Sequence, residues 1–229
     1  MNGWWASWIL ESPNGQLVLF SWVFWVVASI VLHELAHGWA AIRRGDDTPI
    51  HSGHMTWNPI VHMGGWSLLM LALFGFCWGA MPINPSRLRG RFGEAFVAFA
   101  GPACNVVQFI VLCTLAVAWN LFSGSVSEPL RGNTAMFLFI GAMINLMGFL
   151  FNLVPVPPLD GSRILADFYR PYRDLLQTQT GAVIAMLGMP IMFMVGGRFL
   201  WTWAIGGTVA VIKTATELLG GVSAFKGFY

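Results

Sequence analysis

The chain has 229 residues, of which 56% are hydrophobic and only 10% charged, with a formal net charge of +2. Soluble domains carry about 25% charged residues, so this composition excludes an ordinary soluble fold and points to several membrane spans. The small net charge gives no reason to expect nucleic acid as a partner. Cys77, Cys104 and Cys113 lie in apolar stretches without zinc spacing, which argues against a disulfide framework.

Met1 to Gln16 contains no Lys or Arg, so the positive start of a signal peptide is missing and the first apolar run, 17–42, is expected to remain as a span. Inside that run stand His33-Glu34-Leu35-Ala36-His37. Ionisable groups at membrane depth are costly and mark functional sites by default. Residues four apart share a helical face, so both imidazoles can reach one ion. The H-E-x-x-H spacing is that of zinc hydrolases, with two His ligands and the Glu free to act as general base. The bland alternative is a His pair hydrogen-bonded to neighbouring helices, with Glu34 as its buried partner.

Gly45 to Val61 is short and turn-rich, and a small β-hairpin at the membrane surface is expected there. The next apolar segment, 66–81, is too short for a comfortable crossing and is flanked by Gly64-Gly65 and Pro82, so it is expected to dip in and return. Segments 95–121, 134–156 and 181–205 are each long enough to span. A weaker tail from Gly206 to Leu219, holding Lys213 and Glu217, reads as a short sixth span or an interfacial helix. The fold expected is an all-α polytopic membrane protein of five to six membrane segments, a single embedded domain over 1–229 with its core at about 17–165 and C-terminal helices at about 181–220. Trp4, Trp5, Trp8 and Trp22 suit an interfacial belt.

Basic residues orient this arrangement. Arg43 and Arg44 follow the first span, Arg87, Arg89 and Arg91 precede the third segment, and Arg163, Arg170 and Arg173 follow the fourth. The positive-inside rule then places the N-terminus outside a cell membrane and these three loops in the cytoplasm, provided 66–81 is re-entrant. His37 lies six residues before Arg43, so the site sits within roughly 9 Å of the cytoplasmic end of its helix.

Catalytic zinc usually takes three protein ligands and a water, so two His leave the set unfinished. The remaining candidate is Asp160, in Phe151-Asn152-Leu153-Val154-Pro155-Val156-Pro157-Pro158-Leu159-Asp160-Gly161. Three prolines stop the fourth helix, and Gly161 permits a turn after the carboxylate. Read alone, Asp-Gly is as readily an interfacial turn; beside the His pair it reads as the third ligand. Gly101, Asn105 and Gln108 share one helical face, as do Gly141, Asn145, Gly148 and Asn152. Such stripes are more often packing seams than catalytic groups. Asn152 stands apart because it precedes Asp160 closely enough to face a reacting carbonyl. His51, His54 and His62 read as surface or hydrogen-bonded histidines rather than a second metal site.

These residues resemble the site-2 protease family of intramembrane zinc metalloproteases, peptidase family M50. The likeness is carried by Val31-Leu32-His33-Glu34-Leu35-Ala36-His37, by Gly101-Pro102-Ala103-Cys104-Asn105, by Met55-Thr56-Trp57-Asn58-Pro59-Ile60-Val61-His62 and by the Phe151–Gly161 motif. It runs from about Val31 to Leu165 and is closest to the compact bacterial and archaeal type, without a PDZ or CBS domain. The resemblance implies a three-helix catalytic core and one zinc held by His33, His37 and Asp160. It also implies Glu34 as general base, and cleavage of membrane-spanning segments of single-span proteins inside the lipid bilayer. Control of substrate access would then rest on the membrane elements or on a regulatory membrane partner. Two other classes are weighed against this: a metal transporter with the same ligands, and a zinc-binding scaffold that does not cut. Repeated halves and a polar path through both leaflets, usual in transporters, are not evident. A scaffold would have no use for Glu34.

Overall fold

The first apolar run builds a single long helix, which packs against two others to make the core. A computed structural model describes residues 5–221, so Trp4 and residues 222–229 lie outside the described chain. A short turn of helix α1 (Ser7–Leu10) leads to α2 (Gly15–Arg43), followed by α3 (Thr48–His51) and α4 (Pro59–Phe74). Then come α5 (Gly93–Phe122), α6 (Leu130–Asn152), α7 (Asp160–Phe168), α8 (Arg170–Leu176) and α9 (Gln179–Leu218). Among the described residues, four stretches are long and apolar enough to cross a membrane: Gly15–Arg43, Gly93–Ser125, Leu130–Asn152 and Met194–Leu218.

Helices α2, α5 and α6 pack together as a three-helix core, with α9 against α5 and α6 and α7 against α5. The apolar interior is made by Leu112, Cys113 and Ala116 of α5 with Phe139, Ile140 and Met143 of α6, closed by Ala204 and Ile212 of α9. Indole N–H groups tie the bundle across helices: Trp25 donates to the Phe137 carbonyl at 2.9 Å and Trp119 to that of Arg131 at 3.0 Å. These tryptophans act as cross-braces, a use the interfacial-belt reading did not include.

The expected β-hairpin over Gly45–Val61 is not formed, and no strand occurs among the described residues. Local chemistry favours a helical turn instead. Pro49 sits in the first turn of α3, where a missing N–H costs nothing. The buried Asp46 carboxylate accepts from the Thr48 backbone N–H at 3.1 Å and from the Thr48 hydroxyl, holding the chain in a turn.

The 66–81 segment does double back. Helix α4 breaks at Gly64, ends at Gly75 and returns as irregular chain alongside itself. Ser67, fully buried, accepts from the Trp78 N–H at 2.8 Å and donates to the Trp78 carbonyl at 2.6 Å, while the Ala80 N–H reaches the His62 carbonyl at 2.9 Å. Irregular backbone in apolar surroundings needs such internal partners. The two ends of the excursion are pinned together: Asn84 N–H donates to Asp46 at 2.7 Å, Arg89 N–H to the Arg44 carbonyl at 2.7 Å, and Arg87 pairs with Asp47. Asp167, after α6, accepts from the Ala95 N–H at 2.9 Å. All three basic loops therefore meet at one end of the bundle.

The C-terminal part differs from the expectation. The segments read as 181–205 and 206–219 form one continuous helix, and its spanning stretch is Met194–Leu218. Lys213 and Glu217 do not end that helix, since two charges near its terminus are few enough for Ala, Val and Ile around them to carry it on.

Candidate metal centre

Helix α2 carries His33 and His37 on one face, one turn apart, with rings edge-on at 4.6 Å between centroids. The third group arrives from the far end of α6. Pro155, Pro157 and Pro158 prevent that helix from continuing, the chain turns through Leu153–Leu159, and α7 begins at Asp160. Gly161 is needed here for space rather than for the turn expected of it. It lies within α7, and a Cβ on it would come to 2.3 Å from the Leu153 carbonyl oxygen. The loop therefore closes tightly and aims Asp160 back at α2.

Asp160 Oδ2 lies 3.1 Å from His33 Nε2 and 3.3 Å from His37 Nε2, and the two Nε2 atoms are 2.9 Å apart. All three residues are buried. The opposite ring nitrogens face acceptors: His33 Nδ1 lies 2.6 Å from Asn105 Oδ1, and His37 Nδ1 lies 2.8 Å from the Val97 carbonyl oxygen. Each Nδ1 therefore carries a proton, and in the neutral rings each Nε2 presents a lone pair. Two such lone pairs and a carboxylate oxygen then converge on one point, an arrangement suited to a cation. Nitrogen and carboxylate donors of this kind suit zinc. Space for an ion is provided by Gly101 of α5, whose absent side chain would place a Cβ 2.4 Å from both Nε2 atoms. Among the described residues, His33, His37 and Asp160 are the group able to hold a metal ion.

Glu34 is buried next to this group, under the returning chain after α4. Gly79 crosses directly over it, and a Cβ there would meet Glu34 Oε1 at 2.6 Å. The doubled-back segment thus contributes a wall of the site.

The chain belongs to peptidase family M50. The family model matches residues 122–195, a stretch that carries Asp160. The Bacillus subtilis protein YwhC is 31% identical over 83% of this chain and 89% of its own length. Rip2 of Mycobacterium tuberculosis is 26% identical over 85% of this chain and 77% of its own. MJ0392 of Methanocaldococcus jannaschii is 28% identical over 80% of this chain but only 46% of its own length. All three are named as zinc metalloproteases, the first two provisionally. No solved structure is significantly similar to this M50 chain. Its family membership and its apolar helices make it a membrane protein with a zinc metalloprotease's donor set.

Of the residues singled out from sequence, His33, Glu34, His37 and Asp160 come together. Asn152 does not reach them directly: its Nδ2 donates to the Gly148 carbonyl of its own helix at 3.0 Å. Asn105 and Asn145, read as packing residues, instead connect to His33. Asn105 Nδ2 donates to Asn145 Oδ1 at 3.0 Å and to Ser29 Oγ at 2.9 Å. The i, i+4 pairing of Ser29 with His33 and of Gly101 with Asn105 was visible, but which helix faces met was not. His51, His54 and His62 each find an oxygen partner, Asp47, Ser52 and Thr56 respectively, as expected.

Proposed function

We propose that this M50 protein is an intramembrane zinc endopeptidase that cuts the membrane-spanning segments of single-span membrane proteins. The observation that carries this reading is a buried His33–His37–Asp160 group with Glu34 beside it: His33, Glu34 and His37 lie on α2, a helix long and apolar enough to cross a membrane, and Asp160 begins α7 just beyond another, α6. In this reading, His33, His37 and Asp160 hold the ion. A zinc ion held there would supply Lewis acidity toward a carbonyl or a water. Glu34 takes the water's proton and delivers it to the leaving amine. Asn152, with a second amide N–H beyond the one on Gly148, steadies the substrate carbonyl as negative charge develops.

An apolar groove of about 460 Å³ runs down α2 past Phe20, Phe24, Val27 and Val31 to Trp57. It approaches within one helical turn of His33, which suits a substrate helix arriving from the lipid. Such a helix keeps its peptide bonds satisfied internally, so it must open before it can be cut. The basic end of the bundle faces the cytoplasm in this reading, with the N-terminus outside.

The test is to incubate purified wild type and Glu34→Gln with a panel of single-span membrane proteins, with and without a chelator. Wild type should cleave within the spans and stop on chelation. Glu34→Gln should retain zinc and lose roughly 10²–10⁴-fold in rate. Zinc flux into proteoliposomes without any cleavage would support the transporter instead.

A further inference from the structure

We infer that Asn105, held by Asn145 and Ser29, is a positioning residue that fixes the tautomer of His33 and so presents its Nε2 to the metal. The inference rests on the reading of His33 as a zinc ligand and adds what orients it.

The chain of hydrogen bonds has only one consistent direction. Its far end is the Gly141 carbonyl, a backbone oxygen that can only accept. Asn145 lies 3.0 Å from it and must turn its Nδ2 toward it. Asn145 Oδ1 therefore points the other way, toward Asn105 and Ser29, at 3.0 Å from each. An oxygen there demands a donor, so Asn105 must present its Nδ2 to Asn145, and its Oδ1 is left facing His33. His33 must then donate from Nδ1, at 2.6 Å, and in the neutral ring Nε2 is the nitrogen that keeps the lone pair.

Each link is cut off from water: Ser29 is 5% exposed, Asn105 1% and Asn145 0%. No polar atom of these three side chains lacks a partner. With no water available to repair a reversed amide, turning any one of them would oppose two oxygens or two N–H groups in a low-dielectric interior. A backbone carbonyl of α6 thus dictates the proton position on a ligand of α2 through two amides. His37 needs no such relay, because its Nδ1 meets the Val97 carbonyl of α5 directly. Helix α5 therefore orients both imidazoles, one through backbone and one through a side chain. Gly148 leaves room for this arrangement, since a Cβ there would come to 3.3 Å from Asn105 Nδ2.

The experiment measures zinc dissociation constants of the purified full chain in detergent by competition with a chromophoric chelator, alongside unfolding temperatures of the zinc-free forms. Losing the outer partner of a metal-bound His typically costs about 10–100-fold in affinity, and Asn105→Leu should weaken zinc binding by that factor. Asn105→Asp, protonated on its outer oxygen, keeps an acceptor on His33 Nδ1 and a donor toward Asn145 Oδ1, and should stay within about threefold of wild type. Asn145→Leu touches no ligand, yet should weaken binding by at least about threefold, because Asn105 is then free to turn. A residue that only packs would lower the unfolding temperature and leave the zinc affinity of the folded chain unchanged. Wild-type affinity in Asn105→Leu, or a loss in Asn105→Asp equal to that in Asn105→Leu, overturns the inference. Should Asn105→Leu fail to fold, wild-type affinity in Asn145→Leu overturns it alone. A wild-type chain that binds no zinc removes the ligand reading itself, and this inference with it.

Discussion

Gly101 and Asn152 put opposite demands on the metal site, and substituting each separates holding the ion from using it. The Cβ of Gly101→Ala would sit 2.4 Å from both His Nε2 atoms, in the space an ion needs. Gly101→Ala should therefore weaken zinc binding by more than the 10–100-fold or so that an outer-shell loss costs, as measured by metal analysis of the folded, gel-filtered chain. Asn152 hydrogen-bonds within its own helix and lies off the donor set. Asn152→Ala should leave zinc content unchanged and lower cleavage by about 10–1,000-fold if its amide meets the developing oxyanion. Equal rates on every substrate would reduce Asn152 to a packing residue.

The element that most shapes the site beyond the three core helices is α4 with its returning chain. Gly79 runs across Glu34 at a distance that admits no side chain. Gly79→Ala should displace either the Glu34 carboxylate or the returning chain. Zinc affinity should hold while the cleavage rate falls by at least about tenfold, since misplacing a catalytic group by about 1 Å costs up to about 100-fold. Loss of zinc in this variant would show instead that the wall supports the ligands. At the open end of the same element, Asp46 gathers the Thr48 and Asn84 amides. Burial raises its carboxyl pKa, but the hydrogen bonds from Thr48 and Asn84 and the charge of Arg87 more than reverse this and leave it below the usual range. A carboxyl with a depressed folded pKa stabilises the fold above its unfolded value, and that contribution is lost as pH falls through the folded value. The clasp should thus be undiminished at neutral pH and fade only below about pH 3.9, the usual aspartate value. Hydrogen exchange of the Asn84 amide reports it. Asp46→Asn should speed that exchange at pH 7, by an amount corresponding to about 1–3 kcal/mol for a lost charge-assisted bond.

At the scale of the whole molecule, the pinned ends of the re-entrant excursion make a definite topological statement. Residues near Thr48, Arg87 and Arg173 should lie on one side of the membrane, because their loops are joined through Asp46–Asn84, Asp47–Arg87 and Asp167–Ala95. Reporters fused at these positions should all read as cytoplasmic, and one after Ser12 as external. An external reading at Arg87 alone would turn α4 into a true crossing and contradict the pinned loops.

The membrane class and the donors His33, His37 and Asp160 with Glu34 beside them were legible in the residues themselves, while the three-helix core was an expectation carried by the family resemblance. Apolar run length is a local property, and so is the four-residue spacing that puts His33 and His37 on one face. The Pro-rich break before Asp160 is local too, because proline stops a helix whatever surrounds it. The β-hairpin reading failed for the complementary reason. Turn-rich composition over 45–61 suits several backbones, and the choice fell to Asp46, whose partner Asn84 lies far along the chain. The division of 181–219 into two segments failed because composition alone does not tell an interruption from a tolerated charge in one long helix. Asn105 and Asn145 were visible as polar stripes, but a stripe says only that a face is polar. Their link to His33 exists because α2, α5 and α6 meet at one depth and rotation. That meeting is made by contacts among residues far apart in the chain, which no local pattern encodes.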